Sequence, residues 1–140
     1  NEVLENATNY ISRRVSNKVS FVKNIPSSSL LVKLNPSLFE WVIENLCKNA
    51  IDAMNGQGVI SISVAELDNR VNIEVTDTGK GLQKSKYKTI FTPGYTTKKR
   101  GWGLGLSLAK RIVEEYHHGK IYVRHSELNK GTTFRIELKK

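Results

Sequence analysis

The chain has 140 residues, enough for one domain that buries its own core, and its single cysteine excludes an internal disulfide. No apolar run reaches the length of a membrane span. The formal charge of +9 invites a nucleic-acid reading, but six of the 22 bases crowd into one acid-free stretch between Gln83 and Gly103, so we expect a basic loop and no nucleic-acid partner.

Val3, Leu4, Ala7, Ile11 and Val15 recur at helical spacing and predict a first amphipathic helix over Val3 to Val15. The chain opens at Asn1 without an initiator Met and directly in this pattern, so it reads as a single domain cut from a longer protein. Alternation follows: one short strand from Val19 to near Pro26, a turn at Ser27 to Ser29, and a second strand from Leu30 to Leu34. Asn35 as cap and Pro36 in the first turn open a long helix that reaches Met54, where Asn55 to Gly58 stop it.

This long helix is apolar over much more than one stripe, with Leu38, Phe39, Trp41, Val42, Ile43, Leu46, Cys47, Ala50, Ile51, Ala53 and Met54. Asn45, Lys48, Asn49 and Asp52 run through it at i, i+3, i+4 and i+7, one polar face on a largely buried helix. Such a face usually meets solvent and carries Glu, Lys, Gln or Arg. Asn is a poor helix former, so two of them one turn apart need another reason. A carboxamide oxygen is a neutral hard ligand for Mg²⁺ and its NH₂ can hold phosphate. Cys47 sits among apolar neighbours and reads as packing rather than a reactive thiol.

Val59 to Ala65 and Val71 to Thr76 alternate around a short turn and predict an antiparallel hairpin. Its second strand ends in Asp77, Thr78, Gly79, Lys80 and Gly81, an acid beside backbone that a ligand can approach closely. The same Asp-Thr-Gly order occurs in aspartic proteases, which are nearly all strand and do not accommodate two long helices. The segment from Gln83 to Arg100 has little to bury, so we expect it to be mobile in the empty protein and to close as a lid over a polyanion. Gly101, Gly103 and Gly105 then lead into a helix from near Leu104 that carries Leu108, Ala109, Ile112, Val113 and Tyr116 and stops at Gly119. Free backbone N–H groups at such a start suit phosphate, although the spacing fits neither the dinucleotide fingerprint nor a P-loop. His117, His118 and His125 lack the partners of a metal centre. Strands at Ile121 to Arg124 and Thr133 to Leu138 close the chain.

These elements predict an α/β two-layer sandwich, a mixed and mostly antiparallel sheet of about five strands with about three helices on one face.

Together the motifs resemble the boxes of the sensor histidine kinases. Asn45 to Ala50 are similar to the N box, Asp77 to Gly81 to the first glycine box, and Ile90 to Lys98 to the F box. Gly101 to Leu106 are similar to the second glycine box, and Gly131, Thr132, Thr133 and Phe134 to the Gly, Thr, any residue, Phe ending. The resemblance covers essentially the whole chain and implies a Bergerat-type ATP-binding catalytic domain. It implies that Asn49 holds Mg²⁺, that Asp77 accepts from the adenine amino group and that Thr132 lies near adenine. It further implies an ATP site built from Asn45, Lys48, Asn49, Asp52, Asp77, Gly79, Gly81, Thr97, Lys98, Gly101, Gly103, Leu104, Gly105, Leu106 and Thr132.

Hydrolytic relatives carry a Glu base where this chain has Asn45, and an amide cannot take a proton from water, so transfer to a protein fits better than hydrolysis. The implied activity is phosphoryl transfer from Mg-ATP to a histidine on the kinase's own N-terminal dimerisation domain, and onward to a response regulator receiver domain. The implied whole protein is a homodimer that can carry a membrane anchor, with this domain in the cytoplasm. The phosphoacceptor histidine is absent from this chain. An anti-sigma-type serine kinase and a nucleotide-sensing module without transfer are the alternatives.

Overall fold

The computed structural model describes residues 2–12, 19–24, 35–55, 57–92 and 105–139. Helix α1 (Glu2–Ser12) is followed by strand β1 (Val19–Asn24), helix α2 (Pro36–Ala53), and strands β2 (Gly58–Glu66) and β3 (Arg70–Asp77). Two short 3₁₀ turns, Lys84–Lys86 and Thr89–Phe91, precede helix α3 (Gly105–Arg111), which widens into a π-helical turn (Ile112–Tyr116). Strands β4 (Lys120–Glu127) and β5 (Gly131–Lys139) end the chain. The expected strand Leu30 to Leu34 and Val15 of the first helix lie outside the described residues.

The strands form one sheet in the order β1-β2-β3-β5-β4, parallel between β1 and β2 and antiparallel elsewhere. Because side chains alternate, the register decides which residues share a face. Ile62 pairs with Val75, Val75 with Phe134 and Phe134 with Val123, while Ile73 pairs with Ile136 and Ile136 with Ile121. These rows are buried, and so are Phe39, Val42, Ile43, Leu46, Cys47 and Ala50 of α2 and Ala109, Ile112 and Val113 of the last helix. Leu4 and Ala7 of α1 join the same core. The opposite face is polar: Arg135 pairs with Glu74, which Arg124 also approaches, and the Tyr122 hydroxyl donates to Glu137.

Asn35 caps α2 as its residue type predicts, its side-chain oxygen accepting from the Leu38 N–H at 3.1 Å. Trp41, Leu108 and Tyr116 depart from the apolar pattern and are exposed. Trp41 stands one turn before Asn45 and so lies on the polar stripe rather than opposite it. Tyr116 is carried outward because a π turn advances less per residue than an α turn, which breaks the register with buried Ile112 and Val113.

Candidate functional site

Asp77 ends β3 on the helix-covered face, directly opposite Thr132 of β5, and is only 5% exposed. Its Oδ1 accepts from the Gly79 N–H at 2.8 Å, which turns the chain sharply off the strand. Burial pushes its pKa up, and hydrogen bonds from the Gly79 and Thr132 backbones only partly offset that. The loop beyond is clamped at both sides. The Lys80 N–H donates to the Ala53 carbonyl at the end of α2, and the Lys80 carbonyl accepts from Asn129 in the β4–β5 turn. Gly81 adopts φ 73° with its α-carbon against the Glu127 carbonyl, and Gly131 presses on the Asp77 carbonyl, so neither position has room for a side chain.

Midway along α2, about two turns before Ala53, Asn45 lies against Gly105, the first residue of α3. A Cβ on Gly105 would fall 2.6 Å from Asn45 Oδ1 and 3.0 Å from its Nδ2. Asn45 Nδ2 is buried and has no hydrogen-bond partner among the described residues. A buried donor without an acceptor is costly, so this group fits a ligand that brings oxygen atoms. Asn49 is half-buried one turn further on, and Lys48 and Asp52 on the same stripe are exposed. The stripe therefore connects two contact points, Gly105 at Asn45 and Gly79 at Ala53, separated along α2 by about 12 Å at 1.5 Å per residue. The donor set, two carboxamides beside a helix start at one end and a buried carboxylate at the other, fits a Mg²⁺-bound triphosphate carrying a base with an amino group.

The structure thus gathers Asp77, Gly79, Gly81 and Thr132 at the C-terminal end of α2 and Asn45, Gly105 and Leu106 at its middle, with Asn49 and Asp52 between. Thr97, Lys98, Gly101, Gly103 and Leu104 lie outside the described residues. So does most of the F box, including Tyr95.

The expectation of a segment mobile throughout from Gln83 to Arg100 needs correction in its first half. Ile90 and Phe91 are buried, with Phe91 edge-on to Phe134 at 6.0 Å and Lys110 Nζ 5.7 Å from its ring centre. The Tyr87 hydroxyl donates to the Ser126 carbonyl at 2.9 Å and accepts from the Ser126 N–H at 2.8 Å. Three apolar groups with partners outweigh the like charge of Lys84, Lys86 and Lys88, which stay at the surface. Ser126 was not foreseen, because only the β4–β5 register brings it opposite Thr132.

His117 has a structural task. Its Nε2 accepts from the Asn35 N–H and its Nδ1 lies 2.9 Å from the Ile112 carbonyl, so Nδ1 carries the proton. The ring stands edge-on to Phe39, tying the start of α2 to the end of the last helix.

A one-layer mixed sheet covered by helices on one face, with a buried strand-end carboxylate on that face and an asparagine-bearing helix across it, defines a two-layer α/β fold. Residues 35–140 match the family model for histidine kinase-, DNA gyrase B- and HSP90-like ATPases, and the chain belongs to that family. The sensor histidine kinase ZraS of Escherichia coli is 43% identical over 107 residues, 76% of this chain and 23% of that protein. Sporulation kinase C of Bacillus subtilis is 33% identical over 140 residues, 99% of this chain and 32% of that protein. The chain spans under a third of the length of these curated relatives. Among solved structures, the catalytic domain of histidine kinase ThkA superposes with a TM-score of 0.87 at 28% identity, over 99% of this chain and 92% of that one. ThkA in complex with the response regulator protein TrrA matches with a TM-score of 0.84 at 26% identity, over 99% of this chain and 40% of that one. The chain is a histidine kinase-type ATPase domain of the sensor kinases. None of its described helices is long and apolar enough to cross a membrane.

Proposed function

We propose that this domain binds Mg-ATP and donates the γ-phosphoryl group to a histidine on the dimerisation domain of its own kinase, from which a response regulator receiver domain takes it. The observation that carries the reading is Asp77, a carboxylate buried at a strand end with one oxygen held by Gly79 and backbone too close around it for anything but glycine.

In this reading Asp77 and Thr132 hold the adenine end, and Gly79 and Gly81 let the base approach the backbone. Asn45, Gly105 and Leu106 hold phosphate, with Lys48 and Asp52 alongside and Asn49 as the Mg²⁺ ligand. The metal neutralises phosphate charge when bound. Asn45 cannot act as a general base, so water near it is not activated and ATP survives until an acceptor arrives. Response regulator transfer is supported by the kind of complex ThkA forms, and membrane attachment and dimerisation belong to the longer protein.

Calorimetry with ATP and Mg²⁺ tests binding, and Asn49→Ala should abolish the magnesium dependence while the fold persists. Incubation with γ-labelled ATP should leave the chain unlabelled and should give acid-labile label on the histidine of an added dimerisation domain. Base-stable label on His117, His118 or His125 of this chain would overturn the assignment of acceptor and donor to separate domains.

A further inference from the structure

Across the sheet, Asp77 of β3, Thr132 of β5 and Ser126 of β4 stand in one row on the helix-covered face. Ser126 Oγ makes three contacts: 2.7 Å to the Leu82 N–H, 3.0 Å to the Gly131 carbonyl and 2.8 Å to Thr132 Oγ1. A hydroxyl has one proton and two lone pairs. The Leu82 N–H can only donate, so it takes one lone pair. The Gly131 carbonyl can only accept, so it takes the proton. One lone pair is left for Thr132, which must therefore give its own proton to Ser126. No other assignment satisfies all three contacts. Thr132 Oγ1 is left with lone pairs alone, an acceptor on the residue that pairs with Asp77 across the strands.

We propose that Ser126 is a specificity-positioning residue: by fixing the Thr132 hydroxyl as an acceptor, it turns Thr132 and Asp77 into a paired edge that accepts from an exocyclic amino group and disfavours a carbonyl at the same place. The role rests on the ATP reading above and names how its base is chosen. A free threonine hydroxyl would rotate to suit either an amino group or a carbonyl, and it would not discriminate. The Ser126 backbone is itself held by both hydrogen bonds to Tyr87, so the orientation passes from the Tyr87 turn to the base end of the site.

The test compares ATP with inosine triphosphate, which differs at that position in carrying a carbonyl for the amino group, by titration of the full chain with Mg²⁺. Wild type should prefer ATP. Ser126→Ala should reduce that preference by about tenfold, the scale of one lost hydrogen bond at a buried site, and Ser126→Thr, which keeps the hydroxyl, should restore it. Thr132→Val removes the acceptor while leaving Ser126 bonded to Leu82 and Gly131. It should lower the preference by itself and add little when combined with Ser126→Ala, and it carries the same test if Ser126→Ala does not fold. Equal losses for both nucleotides, with the preference unchanged in Ser126→Ala or in Thr132→Val, would show that the serine merely anchors the loop and would overturn the role. A wild-type chain that binds neither nucleotide would instead refute the ATP reading itself, and the role with it.

Discussion

Asn45 and Gly105 meet so closely that the amide of one occupies the place a side chain on the other would need, 2.6 Å from Oδ1 to the missing Cβ. The obstructing atoms are the free end of a flexible side chain, so the fold yields at small cost while the amide leaves its position. Gly105→Ala should therefore weaken Mg-ATP binding by about tenfold or more, roughly 1.4 kcal/mol, with the melting temperature nearly unchanged. Calorimetry and a thermal melt on one preparation check this. Unchanged affinity would separate Asn45 from the phosphates.

Asp77→Asn should lower ATP affinity by about 1 to 3 kcal/mol, as for a charge-assisted hydrogen bond, and yet stabilise the empty domain at neutral pH. The sign follows from linkage. Burial raises the folded-state pKa above the unfolded one, so the ionised form is disfavoured in the fold and stability falls as pH rises through that interval, staying at its lower value up to neutrality. Asn keeps an oxygen for the Gly79 N–H and carries no charge. Denaturant melts of both proteins at pH 7 should place the variant higher. A variant less stable at pH 7 would mean that the Gly79 and Thr132 hydrogen bonds outweigh burial.

His117→Ala should cost about 1 to 3 kcal/mol of stability, because the Asn35 N–H and the Ile112 carbonyl both lose a partner at a buried site. Nucleotide affinity measured well below the melting temperature should change little, since the ring lies at the start of α2, about three turns before Asn45. A fall in affinity without a fall in stability would give the ring a place in the site instead.

Cys47 is fully buried on α2, and burial with a smaller contribution from Glu44 pushes its thiol pKa up to about 12. The thiolate is the reactive form, so the native thiol should resist disulfide reagents at pH 8 and react only when the domain opens. Stopped-flow labelling across a denaturant series should track global unfolding. Fast labelling in native buffer would show that α2 detaches locally.

Strand and helix positions were legible wherever one face is apolar, as in Ile60 and Ile62 or Phe39, Val42, Ile43 and Leu46, because burial imposes a period that the residues themselves display. The Asn stripe and the Asp77 turn were legible for the opposite reason, as polar residues where the pattern calls for apolar ones. Tyr87, Ile90 and Phe91 were misread because their partners Ser126 and Phe134 come from strands more than thirty residues away, while the charges around them are local and conspicuous. Ser126 gives no local signal. Its importance comes from cross-strand register, which depends on turn geometry and on which strands become neighbours.

The pairing of β1 with β2 sets it apart from the hairpins β2–β3 and β4–β5, since Val19 meets Gly58 only after the chain has passed through the whole of α2. Contacts between distant parts of a chain close late and slowly, whereas the hairpins form from neighbouring residues. During refolding, the β1 amides should thus gain protection from hydrogen exchange after those of the two hairpins. Since α2 also carries Asn45 and Asn49, docking of β1 would mark the moment at which a refolding chain becomes able to bind its nucleotide.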